Sequence, residues 1–489
     1  MSLTQVCDRE RGWSEVPERQ TWQLATIAAV AGLALSAGAV AAAGPWDSGQ
    51  RKAERAWAAS RDRTGGAHHE TPARGVPAPA PSAPGVLAAL GVPVPPPAGS
   101  ALADALDPLL RDPALGPVRA ASVIDTATGA QVYGKGDTEG MIPASTIKIA
   151  TSVAALSALG PDHRVATTVT ASPDGRQVVL VGGGDPTLDR DGLAALAGDT
   201  ARALRDRGVD EAELTYDDTL YSGPALHPIS PNENISPVTP LMIDEGRLDG
   251  SRSGTAPRSA DPARDAARAF AELLRERGIK GKGDPEPGKG PRTAEPVARV
   301  LSAPLSALVE RTLTHSDNDI AEALARQTAL ASGEPASFEG AGKAVASRLK
   351  ELGLPLSGAR FADGSGLDRD DRMSAALLSG LLARAADPAR PALRPVLTGL
   401  PVAGFSGTLK SRYAEDSAGT GMVRAKTGTL RGVNTLAGTV VDADGRLLSF
   451  AFLTSGAPGP EAAQSALDRL ASTIANCGCE PSTGRPGRS

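Results

Sequence analysis

Pro143-Ala144-Ser145-Thr146-Ile147-Lys148-Ile149-Ala150 is the stretch on which the fold turns. Pro143 and Ala144 introduce a helix. Ile149, Val153 and Leu156 recur at helical spacing and share one apolar face, and Gly160-Pro161 stops the run. Ser145 and Lys148, three positions apart, also share a face. A serine at a helix start lies beside unpaired backbone N–H groups, which suit a developing oxyanion. A lysine within reach of that hydroxyl takes its proton only when neutral, a state that burial or a neighbouring cation favours.

Strands flank this helix at long range. Residues 122–125 and 131–133 read as two strands around a Thr128-Gly129 turn. Residues 423–430, 435–441 and 447–454 read as three more, with Asp444-Gly445 as the hairpin turn between the last two. Between the two groups come a strand at 177–181, followed by Gly182-Gly183-Gly184-Asp185-Pro186, and a helix over 262–277. Asp261 caps that helix, Pro262 fits its first turn and Gly278 ends it. Ala266, Phe270, Leu273 and Leu274 form its expected buried stripe. Strands at both ends with helices between them predict an α/β domain whose sheet joins the two ends of the chain.

Composition narrows the function. The chain of 489 residues is 41% hydrophobic and 22% charged, an ordinary globular balance. Its formal charge of −5 is spread without a long single-sign block, so no nucleic-acid partner is expected. Aromatic residues are only 3%, too few for stacking platforms. Cys7, Cys477 and Cys479 form no CxxC pair, and His68, His69, His163, His227 and His315 form no HExxH or HxH pattern. A metal centre is therefore not expected. Residues 24–44 are an apolar run, long enough for the ~20 residues of a membrane-crossing helix. Residues 64–100 are rich in Pro, Ala and Gly and read as an extended spacer.

Two further motifs carry chemistry. Ser316-Asp317-Asn318 places a hydroxyl and an amide two apart, suited to a proton relay and to binding a substrate amide. The same triplet also reads as a helix cap. Lys426-Thr427-Gly428-Thr429 lies on the strand 423–430. Strand parity points Lys426 and Gly428 one way and Thr427 and Thr429 the other, so one shared site calls for strand twist or a bulge at Gly428. Gly428 allows a substrate backbone to approach closely. An ordinary edge-strand lysine is the plainer alternative. Each motif except the last has a competitor. Ser347-Arg348-Leu349-Lys350 repeats the first pattern in a basic, solvated helical stretch, and Ser230-Pro231-Asn232 repeats the second among prolines.

The order SxxK, SxN, KTG resembles that of penicillin-binding proteins and serine β-lactamases, from about Leu102 to Ser472. The surrounding residues narrow the likeness: Gly183-Gly184-Asp185-Pro186-Thr187-Leu188, Ala321-Glu322, Asp363-Gly364-Ser365-Gly366-Leu367, and Leu400-Pro401-Val402-Ala403-Gly404 followed by Gly407-Thr408-Leu409. These are similar to the D-alanyl-D-alanine carboxypeptidase/endopeptidase family, the class C low-molecular-mass penicillin-binding group, peptidase family S13. Spacing favours it over a β-lactamase. Ser145 and Ser316 are 171 positions apart and Ser316 and Lys426 are 110 apart, so the first interval has room for the family's large insertion.

The resemblance implies a penicillin-binding-protein/β-lactamase-like transpeptidase fold, an α/β sheet flanked by helices, with a large inserted domain. It divides the chain into an N-terminal cytoplasmic or signal n-region at 1–23, a transmembrane anchor or signal peptide at 24–44, and a Pro/Ala-rich linker at 45–100. A D,D-peptidase catalytic domain follows at 101–162 and 299–475, interrupted by an insert at 163–298, and a tail closes the chain at 476–489. It implies Ser145 as nucleophile and Lys148 as base, kept neutral partly by Lys426. Ser316 and Lys426 pass a proton to the leaving amine, and Asn318 binds the stem-peptide backbone. Thr427, Gly428 and Thr429 form the substrate strand. No metal or organic cofactor is required. The implied partners are peptidoglycan stem peptides and β-lactam antibiotics, with the membrane as a further partner if the N-terminal segment is uncleaved. The implied location is extracytoplasmic, anchored or secreted. The alternatives are a serine β-lactamase and a non-catalytic wall-binding scaffold with the same fold.

Overall fold

The strand Leu447–Ser455 sorts its side chains by parity. Leu448, Phe450 and Phe452 turn to one apolar core, and Ala451 and Leu453 turn to another. Both faces of its sheet are therefore covered, and the molecule is layered. The computed structural model describes residues 99–477 except 230, 414 and 415. The expected n-region, the 24–44 segment, almost all of the linker and the tail from 478 lie outside the described residues. Among the described residues no helix is long and apolar enough to cross a membrane.

In chain order the elements are α1 (Gly99–Leu110), β1 (Val118–Asp125), β2 (Gln131–Lys135), α2 (Ile147–Leu159), β3 (Ala166–Ala171), β4 (Gln177–Val181), α3 (Arg190–Arg205) and β5 (Glu211–Asp217). Then come α4 (Pro262–Glu276), β6 (Lys280–Gly281), β7 (Glu286–Pro287), β8 (Glu295–Leu301), α5 (Leu305–His315), α6 (Asn318–Ala331), α7 (Phe338–Glu351) and α8 (Ala375–Ala386). The last are β9 (Val423–Leu430), β10 (Val433–Val441), β11 (Leu447–Ser455) and α9 (Pro460–Asn476).

One sheet has five strands in the order β2-β1-β11-β10-β9, antiparallel throughout. Val123 faces Phe450, so the sheet does join the two ends of the chain. Leu102, Leu106, Leu467, Leu470 and Ile474 of α1 and α9 cover one face with Phe450 and Phe452. On the other, Val153, Leu156, Leu378 and Leu381 of α2 and α8 pack on Ala437, Ala451 and Leu453. Small residues on that face let the helices approach closely. The hairpin β9–β10 turns through Arg431-Gly432 alone, with Leu430 opposite Val433 and Gly432 at φ +73°. The β10–β11 connection is longer than the Asp444-Gly445 reading implied. It spans 442–446 around an Asp442 carboxylate that accepts the N–H groups of Asp444 and Arg446.

Residues 166–301 build a second sheet, β6-β5-β4-β3-β8, with β7 also on β5. The strands β4 and β5 are parallel and joined through α3. Leu193, Leu196 and Leu204 of α3 and Phe270 and Leu274 of α4 form its core with Val169, Val178 and Leu180. Asp261 caps α4 as expected, accepting the Arg264 N–H at 3.1 Å. Leu273 is only half-buried, so the buried stripe of α4 runs through Ala263, Ala266, Ala267, Phe270 and Leu274 instead.

Candidate active site

Ser145 lies one step before the α-helix rather than at its first residue. Ala144–Thr146 form a single 3-10 turn, and α2 begins at Ile147. Ala144 has φ +47°, a conformation that a residue with a Cβ rarely adopts. The turn is clasped from two sides. A Cβ added at Gly428 would lie 2.1 Å from Thr435 Oγ1 and 2.8 Å from the Pro143 carbonyl. One added at Gly366 would lie 2.1 Å from the Ala144 carbonyl. Thr435 and Thr146 both donate their hydroxyls to the Pro143 carbonyl, at 2.8 and 2.6 Å. Gly428 thus admits the nucleophile's own turn against β9, a role that the sequence reading assigned to a substrate backbone.

Lys148, one turn on, is fully buried. Its Nζ lies 3.0 Å from Ser145 Oγ, 2.7 Å from Asn318 Oδ1 and 2.5 Å from the Ser365 carbonyl. Burial pushes the ammonium down to about 8, against the pull of Asp363, Asp317, Glu322 and Asp319. Lys426 is buried too and donates to the Thr427 carbonyl at 2.8 Å. Burial and the Lys148 charge hold it well below the ordinary lysine range. The expected cause is therefore corrected: desolvation lowers Lys148, and it is the Lys148 charge that adds to burial in lowering Lys426.

The second motif sits at a helix–helix corner. Ser316 ends α5 in the left-handed region at φ +59°. Asp317 caps α6 by accepting the Ile320 N–H at 3.0 Å. The capping alternative is thus true of Asp317, and it leaves Ser316 and Asn318 facing the cleft. Asn318 reaches Lys148 through Oδ1 and donates from Nδ2 to the Asn234 carbonyl at 2.9 Å. The third motif needs no bulge. Pairing of β9 with β10 runs unbroken from Val423–Val440 to Leu430–Val433. Lys426 points inward beside α2, the Thr427 hydroxyl bonds Thr408 Oγ1 at 2.9 Å, and Thr429 is exposed on the rim. Ser145, Ser316, Asn318 and Thr429 line one cleft of ≈ 220 Å³. A larger cavity of ≈ 690 Å³ lies between α1 and α9 and touches none of the motif residues. Ser347 and Lys350 are exposed on α7 and do not line this cleft, and Ser230 lies outside the described residues.

Several supporting residues had no reading of their own from the sequence. The buried Glu322 carboxylate accepts the N–H groups of Gly364 and Ser365, both at 2.9 Å. Asp363 accepts those of Ser365, Gly366 and Asp368. Burial opposes ionisation of Asp363, yet His227 and the Gly366 N–H hold its carboxyl down to about 2. Residues 232–258 supply a second support. Ser236 N–H donates to Asp319 Oδ1 at 2.9 Å, Arg258 pairs with Asp319 Oδ2 at 2.8 Å, and Arg311 pairs with Glu245. The Asp363-Gly364-Ser365-Gly366 turn was visible as a likeness to a family. Residues 232–258 have no periodicity, and no signal marked them.

A serine hydroxyl against a buried lysine, beside an antiparallel sheet with helices on both faces, defines a class: serine enzymes of the penicillin-binding/β-lactamase fold. Comparisons with known proteins narrow it. The family model described as the D-Ala-D-Ala carboxypeptidase 3 (S13) family matches residues 102–251 and 248–476. Carboxypeptidase DacB of Mycolicibacterium smegmatis is 39% identical over 395 residues, covering 77% of this chain and 84% of that protein. A D-alanyl-D-alanine carboxypeptidase of an Actinomadura species is 30% identical over 445 residues, covering 73% and 82%. The crystal structure of penicillin binding protein 4 (dacB) from Haemophilus influenzae superposes with a TM-score of 0.63 at 22% identity. It covers 77% of this chain and 98% of that one, a likeness of fold. This chain belongs to the S13 family of D-Ala-D-Ala carboxypeptidases, serine-type peptidases.

Proposed function

We propose that the protein removes the terminal D-alanine of peptidoglycan stem peptides, or cleaves the equivalent cross-link, through a Ser145 acyl-enzyme. The observation that carries this reading is the environment of Lys148 Nζ. A neutral amine has two N–H donors and one lone pair. Asn318 Oδ1 at 2.7 Å and the Ser365 carbonyl at 2.5 Å take the donors. The lone pair is left for the third neighbour, Ser145 Oγ at 3.0 Å. In that arrangement Lys148 accepts the Ser145 proton as Oγ attacks the carbonyl between two D-alanines. The Ser145 and Thr429 N–H groups hold the oxyanion. Ser316 and Lys426 return a proton to the departing amine, and the C–N bond breaks. Water then hydrolyses the ester by the reverse route, with no metal or cofactor involved.

In this reading Asn318 Nδ2 exchanges its Asn234 partner for the stem-peptide backbone. Thr427 and Thr429 hold the terminal carboxylate. β-Lactams acylate the same serine, because their strained amide presents a similar carbonyl and carboxylate. We further propose residues 101–162 and 299–475 as the catalytic domain and 163–298 as the insert, with β8 running across the second junction. A stem-peptide substrate puts the enzyme outside the cytoplasmic membrane, and residues 24–44 serve as its anchor or signal. The test is release of D-alanine from a pentapeptide ending in D-Ala-D-Ala, together with intact mass after penicillin treatment. Ser145→Ala is expected to abolish both. A covalent adduct that persists in Ser145→Ala would sink the assignment.

A further inference from the structure

We propose that His227 is a positioning residue for the acylation step: it donates from Nε2 to Asp363 and so fixes the turn whose Ser365 carbonyl holds Lys148. His227 lies in the irregular segment between β5 and α4, more than a hundred residues from the turn it touches. It is buried, and its Nε2 is 2.9 Å from Asp363 Oδ2. Its Nδ1 accepts the Ile229 N–H at 3.3 Å, a contact that requires this nitrogen to be bare and therefore selects the Nε2–H tautomer. The ring stands edge-on to Phe338, centroids 5.3 Å apart, and Phe338 also carries the Arg326 guanidinium 4.0 Å from its ring centroid.

Asp363 is the hinge of the argument. Its Oδ1 accepts the N–H groups of Ser365 and Gly366, and its Oδ2 accepts the Asp368 N–H, the Ser365 hydroxyl and His227. The turn tied in this way presents the Ser365 carbonyl to Lys148 and the Gly364 carbonyl to Thr151 Oγ1. Gly366 within it abuts the Ala144 carbonyl, one residue from the nucleophile. A chain of direct contacts thus runs from His227 through Asp363 and Ser365 to Lys148 and Ser145. The groups facing the ring are Asp363, Glu322 and Asp368, with Arg326 behind Phe338. Burial disfavours the imidazolium, while Asp363 and Glu322 favour it and raise its pKa above the ordinary value. In either form Nε2 carries a proton and donates it to Asp363.

The inference rests on the reading of Lys148 as base, so that reading has its own arm in the test. Acylation of the purified full chain by penicillin is followed by intact mass from pH 6 to 9, with urea melts as a check on folding. His227→Phe keeps an aromatic ring but loses the donor, and is expected to acylate about 10- to 100-fold more slowly while remaining folded. His227→Gln restores an amide donor near the Nε2 position. It is expected to recover most of the parent rate, since the donor to Asp363 is restored. A role in packing alone predicts the reverse order, with Phe tolerated and Gln not. A Phe variant as fast as the parent, or a Gln variant that is no faster than Phe or fails to fold, would overturn the proposal. If only the Phe variant fails to fold, the Gln rate decides: a rate near the parent's supports the assignment and one more than tenfold slower overturns it. Lys148→Ala acylating at the parent rate would refute the base reading itself, whatever the His227 variants do.

Discussion

Acylation is expected to rise with pH along a limb set by Lys148. An ordinary lysine titrates at 10.5, and burial brings this one to about 8. The shift of about 2.5 units corresponds to roughly 3 kcal/mol. At pH 7 it raises the neutral fraction from about one in 3,000 to about one in ten, a gain near 300-fold in competent base. The second-order rate of penicillin acylation, followed by intact mass from pH 5.5 to 9.5, should climb about tenfold per unit at the acid end and level off near pH 8. Lys426→Gln should leave this limb in place, because burial lowers Lys148 and Lys426 is itself held well below the ordinary lysine range. A rate that is flat or falls between pH 6 and 8, or a limb that survives in Lys148→Ala, would refute the assignment. Stability carries the same signature. The unfolded chain keeps this proton up to about 10.5 and the folded chain releases it near 8, so unfolding takes up a proton between these values. Through this group, resistance to urea should rise with pH across that window.

Three further outcomes follow from the packing. Gly428→Ala is expected to abolish acylation and to cost about 1–3 kcal/mol in urea unfolding, because its Cβ would drive Thr435 and Pro143 away from β9. Gly459→Ala is the control, since a Cβ there meets nothing within 4 Å. Arg258→Ala should destabilise by about 3–5 kcal/mol at pH 8 by stranding the buried Asp319 carboxylate. Burial and Asp317 raise that carboxyl to about 7, so the loss should shrink at pH 5, where it is protonated; a pH-independent change below 1 kcal/mol, about the worth of a surface pair, would contradict this. Ser347→Ala should acylate and release D-alanine like the parent, and loss of labelling there would mean that the exposed α7 serine had been misjudged.

The sheet was legible because its signal is local. Phe450 and Phe452 alternate with Ala451 and Leu453, and two-residue periodicity marks a strand wherever the strand pairs. The helix α2 declared itself through Ile149, Val153 and Leu156. The three motifs were legible only as an ordered set, because each alone has a plainer reading, and Asp317 does act as a helix cap. What was hidden depends on contacts across hundreds of positions. Nothing in Pro143-Ala144-Ser145 announces a positive-φ alanine, whose turn fits only because Gly366 and Gly428 lack a Cβ where it passes. The bulge invoked at Gly428 followed from treating β9 as an isolated flat strand, whereas the register is intact, with Thr429 lining the cleft and Lys426 fully buried. The Arg431-Gly432 turn carried a usable glycine signal that went unused. His227 and Arg258 sit in irregular backbone, where burial is decided by what lies opposite rather than by spacing along the chain.

The pairing of β1 with β11 has a consequence in time. β1 takes β2 on one side and β11 on the other, and Lys426 stands on β9, so strands made last complete the sheet. Until they are made, the nucleophile exists as an untrained hydroxyl on an incomplete scaffold. Contacts of such long sequence separation form late, because the intervening loop must close first. The order of the chain therefore delays completion of the site until its C-terminal strands have been made.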